Sequence, residues 1–330
     1  MAMEMEMKPK RRKTQRFDRT RHHTFHSDMN HHLKLAALSL FLGSPVATAD
    51  QPGAAAPALA AAADKASAES LYQTARDLLK ADGGEDEARK GFTLMREAAG
   101  QGYLPAIAGV GYLYSSGLGV AKDNAEAGKW FRAAAVQEHA ISRYNLGKLL
   151  VADEIPLPAG STDRAVQHTE GVEWIRKAAG QGQIEAKSDY GIILMRGDFG
   201  VKPDPAAAAP YLIAAAAAGN AEALNALGTM YLVGNGVPYD LGDAERSFRQ
   251  AAMQGHVKAQ ANLGEFLDPS SRDPEKRVEA LAWLYLAEQV KDPVAMKILQ
   301  NKAAVISPGD EAEGRKKAAA LRKEMRGLKK

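Results

Sequence analysis

A glycine set among helix-forming residues recurs at Gly111, Gly147, Gly191, Gly228 and Gly264, at intervals of 36, 44, 37 and 36 residues. Two further marks keep step with it. Short alanine-rich endings recur as AAGQG at 98–102, AAVQE at 134–138, AAGQG at 178–182, AAAGN at 216–220 and AAMQG at 251–255. A glycine turn closed by valine recurs at 117–120, 197–201 and 234–237, with an aspartate three residues later at Asp123, Asp204 and Asp240. Three marks at one period identify stacked units, because one unit of this size cannot bury its apolar face alone.

The unit Ala221–His256 shows what each mark does. Ala223, Ala226, Leu227 and Met230 fall at i, i+3, i+4 and i+7, the spacing of one helix face. Gly228 lies inside that helix, where glycine is less favourable than alanine by roughly 0.5–1 kcal/mol; close approach of a neighbouring helix explains it. Gly234-Asn235-Gly236 ends the helix, since these residues accept positive φ at little cost. Val237 is placed to plug the gap between helices, and Asp240 to cap the second helix, which runs to about Gln254. Asp204-Pro205 and Asp273-Pro274 combine a cap with proline at the first helical position.

This pattern resembles the Sel1-like repeat family, a relative of the tetratricopeptide repeats. Leu146-Gly147, Leu227-Gly228 and Leu263-Gly264 carry the resemblance, with the G-x-G-V turn and a second helix bearing Trp130, Trp174 or Phe248. It implies an all-α, right-handed superhelical solenoid of helix-turn-helix repeats, about five plus caps. It also implies an interaction scaffold rather than an enzyme. The expected repeats are 104–139, 140–183, 184–220, 221–256 and 257–292. A degenerate helix pair at 68–103 and capping helices with a basic tail at 293–330 flank them. The second repeat lacks the glycine turn and carries extra residues at 153–162, which makes that stretch the best candidate for contacts specific to one partner.

Ahead of the repeats, Met29–Lys34, the apolar run Leu35–Leu42 and Gly43–Ala49 read as a secretory signal with cleavage after Ala49. The run is far shorter than the roughly 20 residues of a membrane span. Periplasmic localisation is expected, secretion being the alternative. Residues 50–67 read as an Ala/Pro-rich linker. The leader changes the charge argument. The whole chain is +3, but nine of its 43 basic and four of its 40 acidic residues lie in 1–49. The remaining 34 and 36 give about −2, so the basic balance is no sign of nucleic-acid binding. The same segment holds His22, His23, His26, His31 and His32, a leader tract rather than a metal site. The absence of cysteine excludes thiol catalysis, a Cys-rich zinc site and lipoprotein anchoring.

No phosphate loop, nucleophile elbow or zinc-protease motif is present. No cofactor, metal or catalytic residue is expected. His139 and His256 share one phase of the repeat and read as caps or surface residues. His168 has no evident partner; with Glu170 it is the only start for a hydrolase reading. Trp130, Phe131, Trp174, Tyr211 and Phe248 read as packing between repeats more than as a sugar platform.

The first helices of such solenoids often line the concave face where partners bind. Tyr112, Arg143, Tyr144, Lys148, Tyr190, Arg196, Asn225 and Tyr231 are therefore the candidate contacts for a protein or peptide partner. Asp189 and Thr229 are candidate polar neighbours. A glycan or cell-wall role is the alternative. A monomer is expected, with no membrane insertion after signal cleavage. The basic residues between Arg315 and Lys330 read as a solvated terminal helix.

Overall fold

The computed structural model describes residues 55–80, 84–157 and 162–328, with side chains from Ser67 onward. The expected signal segment, the His tract and residues 158–161 of the insertion lie outside the described residues. Among the described residues there are fourteen α-helices and no strand. An N-terminal pair, α1 (Ala55–Lys80) and α2 (Gly84–Gly100), precedes the repeats; α1 begins inside the Ala/Pro-rich stretch. The repeats pair α3 (Leu104–Ser116) with α4 (Asn124–Ala135), α5 (Ala140–Val151) with α6 (Arg164–Gly180), and α7 (Ile184–Arg196) with α8 (Pro205–Ala217). They continue with α9 (Ala221–Val233) and α10 (Leu241–Met253), then α11 (Val257–Leu267) and α12 (Pro274–Glu288). Two terminal helices follow, α13 (Pro293–Lys302) and α14 (Pro308–Gly327).

The recurrent marks act locally as their chemistry dictates. In the first, third and fourth repeats the first helix ends at a left-handed glycine, as at Gly234 (φ 67°), whose N–H returns to the Met230 carbonyl. The turn then closes through one repeated backbone bond. Asp123 N–H donates to Tyr114 O, Asp204 to Leu194 O and Asp240 to Tyr231 O, at 2.9, 2.7 and 3.1 Å. The same aspartates accept backbone N–H groups at the start of α4, α8 and α10. One residue thus fixes both the turn and the following helix.

The repeat glycines sit where two helices cross. A Cβ at Gly111 or Gly228 would lie 2.7 or 2.6 Å from the rings of Phe131 and Phe248. At Gly191 and Gly264 the obstacles are Leu212 and Leu284. Each crossing leads into a small core of alanine, leucine and one larger side chain, and these cores succeed one another along the array. At the C-terminal end α12 is buried from Ala280 to Ala287, because α11, α13 and α14 all pack on it. Helix α14 faces inward with Gly314, Ala318 and Met325, and Arg315 lies 4.1 Å over the Tyr285 ring.

Candidate partner-binding face

The first helices α7 and α9 pack directly on one another, as do α11 and α13. Neighbouring second helices are linked at the surface by long side chains, Arg132 to Glu170 and Arg249 to Glu279. Where α7 meets α9, the first helices form a side of their own.

Polar rungs join successive first helices on that side. The Tyr144 hydroxyl donates to Asp189 Oδ2 at 3.0 Å, and Lys148 Nζ reaches the same oxygen at 2.9 Å. Burial, then the neighbouring Asp189 carboxylate, raises the Tyr144 hydroxyl pKa well above its ordinary value, so it remains a donor. Two repeats on, Asn262 Nδ2 donates to Asn225 Oδ1 at 2.8 Å. Burial raises the pKa of Glu222, on α9, above the usual carboxylate value.

Of the eight candidate contacts, Tyr144, Lys148 and Asn225 belong to these rungs. Arg196 is exposed at the end of α7. Arg143 is occupied locally: its Nε donates to the Ala135 carbonyl at 3.0 Å, closing the end of α4, and Glu138 is nearby. Tyr112 packs against the cluster of Phe131 and Leu146. Tyr231 packs against the clusters of Leu224 and Met230. Tyr190 meets Tyr211 of α8 edge-on, with ring centroids 5.0 Å apart. Sequence reasoning missed Asn262 and Glu222. Asn262 falls at the same phase as Asp189, two residues before the repeat glycine, and that signal was available.

The histidines resolve into structural roles. His139 and His256 are the N-caps of α5 and α11, their Nδ1 atoms accepting from Ser142 N–H and Ala259 N–H at 3.2 Å. A ring nitrogen that accepts must be unprotonated. Burial lowers both pKa values, that of His256 to about 4 with help from Lys258. His168, expected to lack a partner, has two: Asp153 Oδ1 at 2.9 Å and the Phe199 ring at 5.3 Å. Glu170 instead engages Arg132 and the Trp174 indole. His168 and Glu170 thus serve different contacts and do not converge on one cleft.

The aromatic stripe splits into two adjacent positions. Phe131, Ile175, Leu212, Phe248 and Leu284 lie beneath the repeat glycines. Trp130, Trp174, Tyr211 and Trp283 stand one residue earlier. There Trp174 and Trp283 donate to Glu170 and Glu279, and Lys177 covers the Trp174 face at 4.6 Å.

The insertion is fastened at its base. Arg164 donates to Asp153 at 3.2 Å, and Gln167 to the Ile155 carbonyl at 3.0 Å. Ile155 packs over Gly128, where an added Cβ would lie 2.5 Å from its Cδ1. A shallow apolar groove runs beside it between Val136 and Pro156.

These features define a protein built of helical repeats. Comparison with known proteins agrees. The Sel1 repeat pattern matches residues 104–139, 159–183, 184–220, 221–256 and 257–289, half of the chain. The second match begins after α5, the helix of the irregular repeat. The chain belongs to the Sel1 repeat family, whose members generally mediate protein–protein interaction.

A Sel1 repeat protein from Oxalobacter formigenes is 30% identical with a TM-score of 0.57, over 70% of this chain and 88% of that one. A protective antigen of uropathogenic Escherichia coli with an SLR fold shares the architecture. It is 21% identical with a TM-score of 0.53, over 80% of this chain and 62% of that one. Among curated proteins, the chitin synthase regulator SKT5 of Saccharomyces cerevisiae is 27% identical over 203 residues, 58% of this chain and 28% of that protein. An uncharacterized protein of Neisseria meningitidis is 27% identical over 201 residues, 54% of this chain and 41% of that one. The chain thus spans less than half the length of these curated relatives. No helix among the described residues is long and apolar enough to cross a membrane.

Proposed function

We propose that this chain is a non-enzymatic scaffold of the bacterial cell envelope that holds a protein or peptide partner against the side formed by its first helices. The carrying observation is the set of rungs from Tyr144 and Lys148 through Asp189 to Asn225 and Asn262, which fix polar groups on a rigid surface. A preformed face loses little entropy on binding, so the ordering cost falls on the partner segment. The signal-like segment at 29–49 supports the envelope assignment, and the Oxalobacter relative supports a bacterial source.

A polysaccharide-linked role is the second reading, favoured by the likeness to a chitin synthase regulator. Against a direct sugar platform, the Trp174 ring is covered by Lys177 and Trp283 is 1% exposed. Site-specific photocrosslinking in envelope extracts tests the main reading. Probes at exposed Arg196 and Thr229 on the first-helix side should trap one partner, and a probe at exposed Ile213 on the second-helix side should not. Trapping from Ile213 alone refutes the first-helix assignment. Fractionation of the full chain tests the compartment, and retention of an uncleaved chain in the cytoplasm sinks it.

A further inference from the structure

The turn between α9 and α10 runs Gly234-Asn235-Gly236-Val237. Gly234 and Gly236 take the left-handed region, at φ 67° and 81°, whereas Asn235 does not. The first repeat makes the same turn with leucine in the middle. Gly117 and Gly119 have φ 74° and 73°, and Leu118 N–H reaches Leu113 O at 3.2 Å as Asn235 N–H reaches Met230 O at 3.1 Å. The turn therefore has no need of an asparagine amide. Asn235 and Gly236 are both exposed. Among the described residues, neither the Asn235 side chain nor the Gly236 N–H has a hydrogen-bond partner.

The other asparagines among the described residues are held differently. Asn145, Asn225, Asn262 and Asn301 stand inside helices, where the N–H of the next residue is committed to the helix. Asn124 donates to Glu154 at 2.6 Å, and Asn220 caps α9 by accepting from Ala223 N–H at 2.9 Å. Asn235 combines an unengaged amide, an unbonded neighbouring nitrogen and a following residue with no Cβ to crowd the approach. Gly236 is also a packing position. A Cβ there would strike the Pro205 carbonyl at the start of α8, and Val237 packs on the core shared by the third and fourth repeats.

We propose that the Asn235–Gly236 peptide is a site of spontaneous deamidation, and that its product loosens the junction between the third and fourth repeats. The Gly236 nitrogen attacks Asn235 Cγ. An N–Cγ bond forms, the Cγ–Nδ2 bond breaks, and the proton of the Gly236 N–H leaves with the amide nitrogen as ammonia. Water then opens the cyclic imide to a carboxylate, so the net exchange is water in and ammonia out. Opening at the main-chain carbonyl routes the chain through Asn235 Cγ. That product is an isoaspartate, with one extra carbon in the backbone. No oxidant, metal or second protein takes part. The inserted carbon shifts Gly236 where it has no clearance from Pro205, and it moves Val237 against the shared core.

The test holds the full chain in mildly alkaline buffer, where the attacking amide nitrogen ionises more readily. Peptide mapping by mass spectrometry with electron-transfer fragmentation locates each converted residue and separates isoaspartate from aspartate. Asn235 should convert at least about tenfold faster than any other described asparagine, the factor for having to open one hydrogen bond first. Asn235→Leu, which copies the first-repeat turn, should not accumulate the acidic form that the unaltered chain gains. The isoaspartyl fraction, isolated by ion exchange, should melt about 2–4 °C or more below the fresh protein. Freshly made Asn235→Asp gains the charge without the extra carbon and should melt with the parent. Conversion of Asn235 no faster than that of the helical asparagines overturns the site. An isoaspartyl fraction that melts with the parent overturns the loosening, and Asn235→Asp melting as low as that fraction assigns the effect to charge and overturns the role of the added carbon.

Discussion

Gly147→Ala tests the claim that the repeat glycines exist for helix approach. A Cβ at 147 would lie 2.6 Å from Ile175 Cγ1, 2.7 Å from the Gly171 carbonyl oxygen and 3.1 Å from Ile175 N. Two of those atoms are backbone of α6, which no rotamer change can move. The contact is reciprocal, since a Cβ at Gly171 would lie 2.9 Å from the Gly147 carbonyl oxygen. Overpacking costs about 1–3 kcal/mol, and a backbone obstacle places this site near 3. Alanine's better helix propensity returns about 1 kcal/mol. The net loss is about 2 kcal/mol, or about 4–8 °C in melting temperature at about 2–4 °C per kcal/mol for a domain of this size class. Thermal melts followed by circular dichroism measure it. Gly180→Ala is the control: that glycine is exposed at the end of α6 with nothing within 4 Å, so the same propensity gain meets no obstacle. If Gly147→Ala melts at or above the parent, helix approach is not why these glycines recur.

His256 should make stability depend on acid. Its folded pKa of about 4 lies below the unfolded value near 6.5, so the unfolded chain takes the proton first as pH falls. Its contribution is whole above about pH 6.5 and declines by about 3 kcal/mol down to about pH 4. His256→Asn copies the Asn220 cap at the matching place, and the difference between parent and variant melts from pH 7 to 4 should trace that loss; a constant difference contradicts it. The clamp between the fourth and fifth repeats should be asymmetric. Arg249→Ala removes a half-exposed ion pair worth under about 1 kcal/mol, whereas Glu279→Ala also strips the acceptor from the Trp283 indole and should cost about 2 kcal/mol in urea unfolding. The reverse order would show that the clamp, and not the indole, sets the value.

The architecture was legible because its causes are local and periodic. Gly228, Gly234 and Asp240 each act within a few residues or on the adjacent helix, so their spacing alone carried the repeat. The rungs were harder to read. Tyr144 and Asp189 are 45 residues apart, and their pairing depends on which side of each first helix faces the next. The candidate list took tyrosines for their chemistry without regard to phase. Tyr190 stands directly before its repeat glycine and therefore meets α8, while Tyr144 stands three before and meets α7. The same neglect of phase merged Trp130 and Phe131 into one stripe, although only Phe131 lies beneath a repeat glycine. His168 gained its partners from Asp153 and Phe199, both brought in by turns whose course depends on stacking.

Ile155 shows how an irregular repeat keeps the common packing, and that reading yields a quantitative expectation. Val120, Val201 and Val237 follow their repeat glycines by nine, ten and nine residues; Ile155 follows Gly147 by eight. Val201, Val237 and Ile155 each pack at the edge of the local core, so Ile155 fills the valine's role without the glycine turn. The packing requirement is met at Ile155. Ile155→Ala removes three carbons from a half-buried side chain. At about 0.8 kcal/mol per fully buried methylene, with partial exposure set against the space opened over Gly128, the loss is about 2 kcal/mol. Val237→Ala, with one carbon fewer to lose, should cost about 1 kcal/mol. Urea unfolding of the two variants against the parent gives the comparison. Should Ile155→Ala prove neutral while Val237→Ala destabilises, Ile155 is not the plug, and the second repeat closes its core by some other contact.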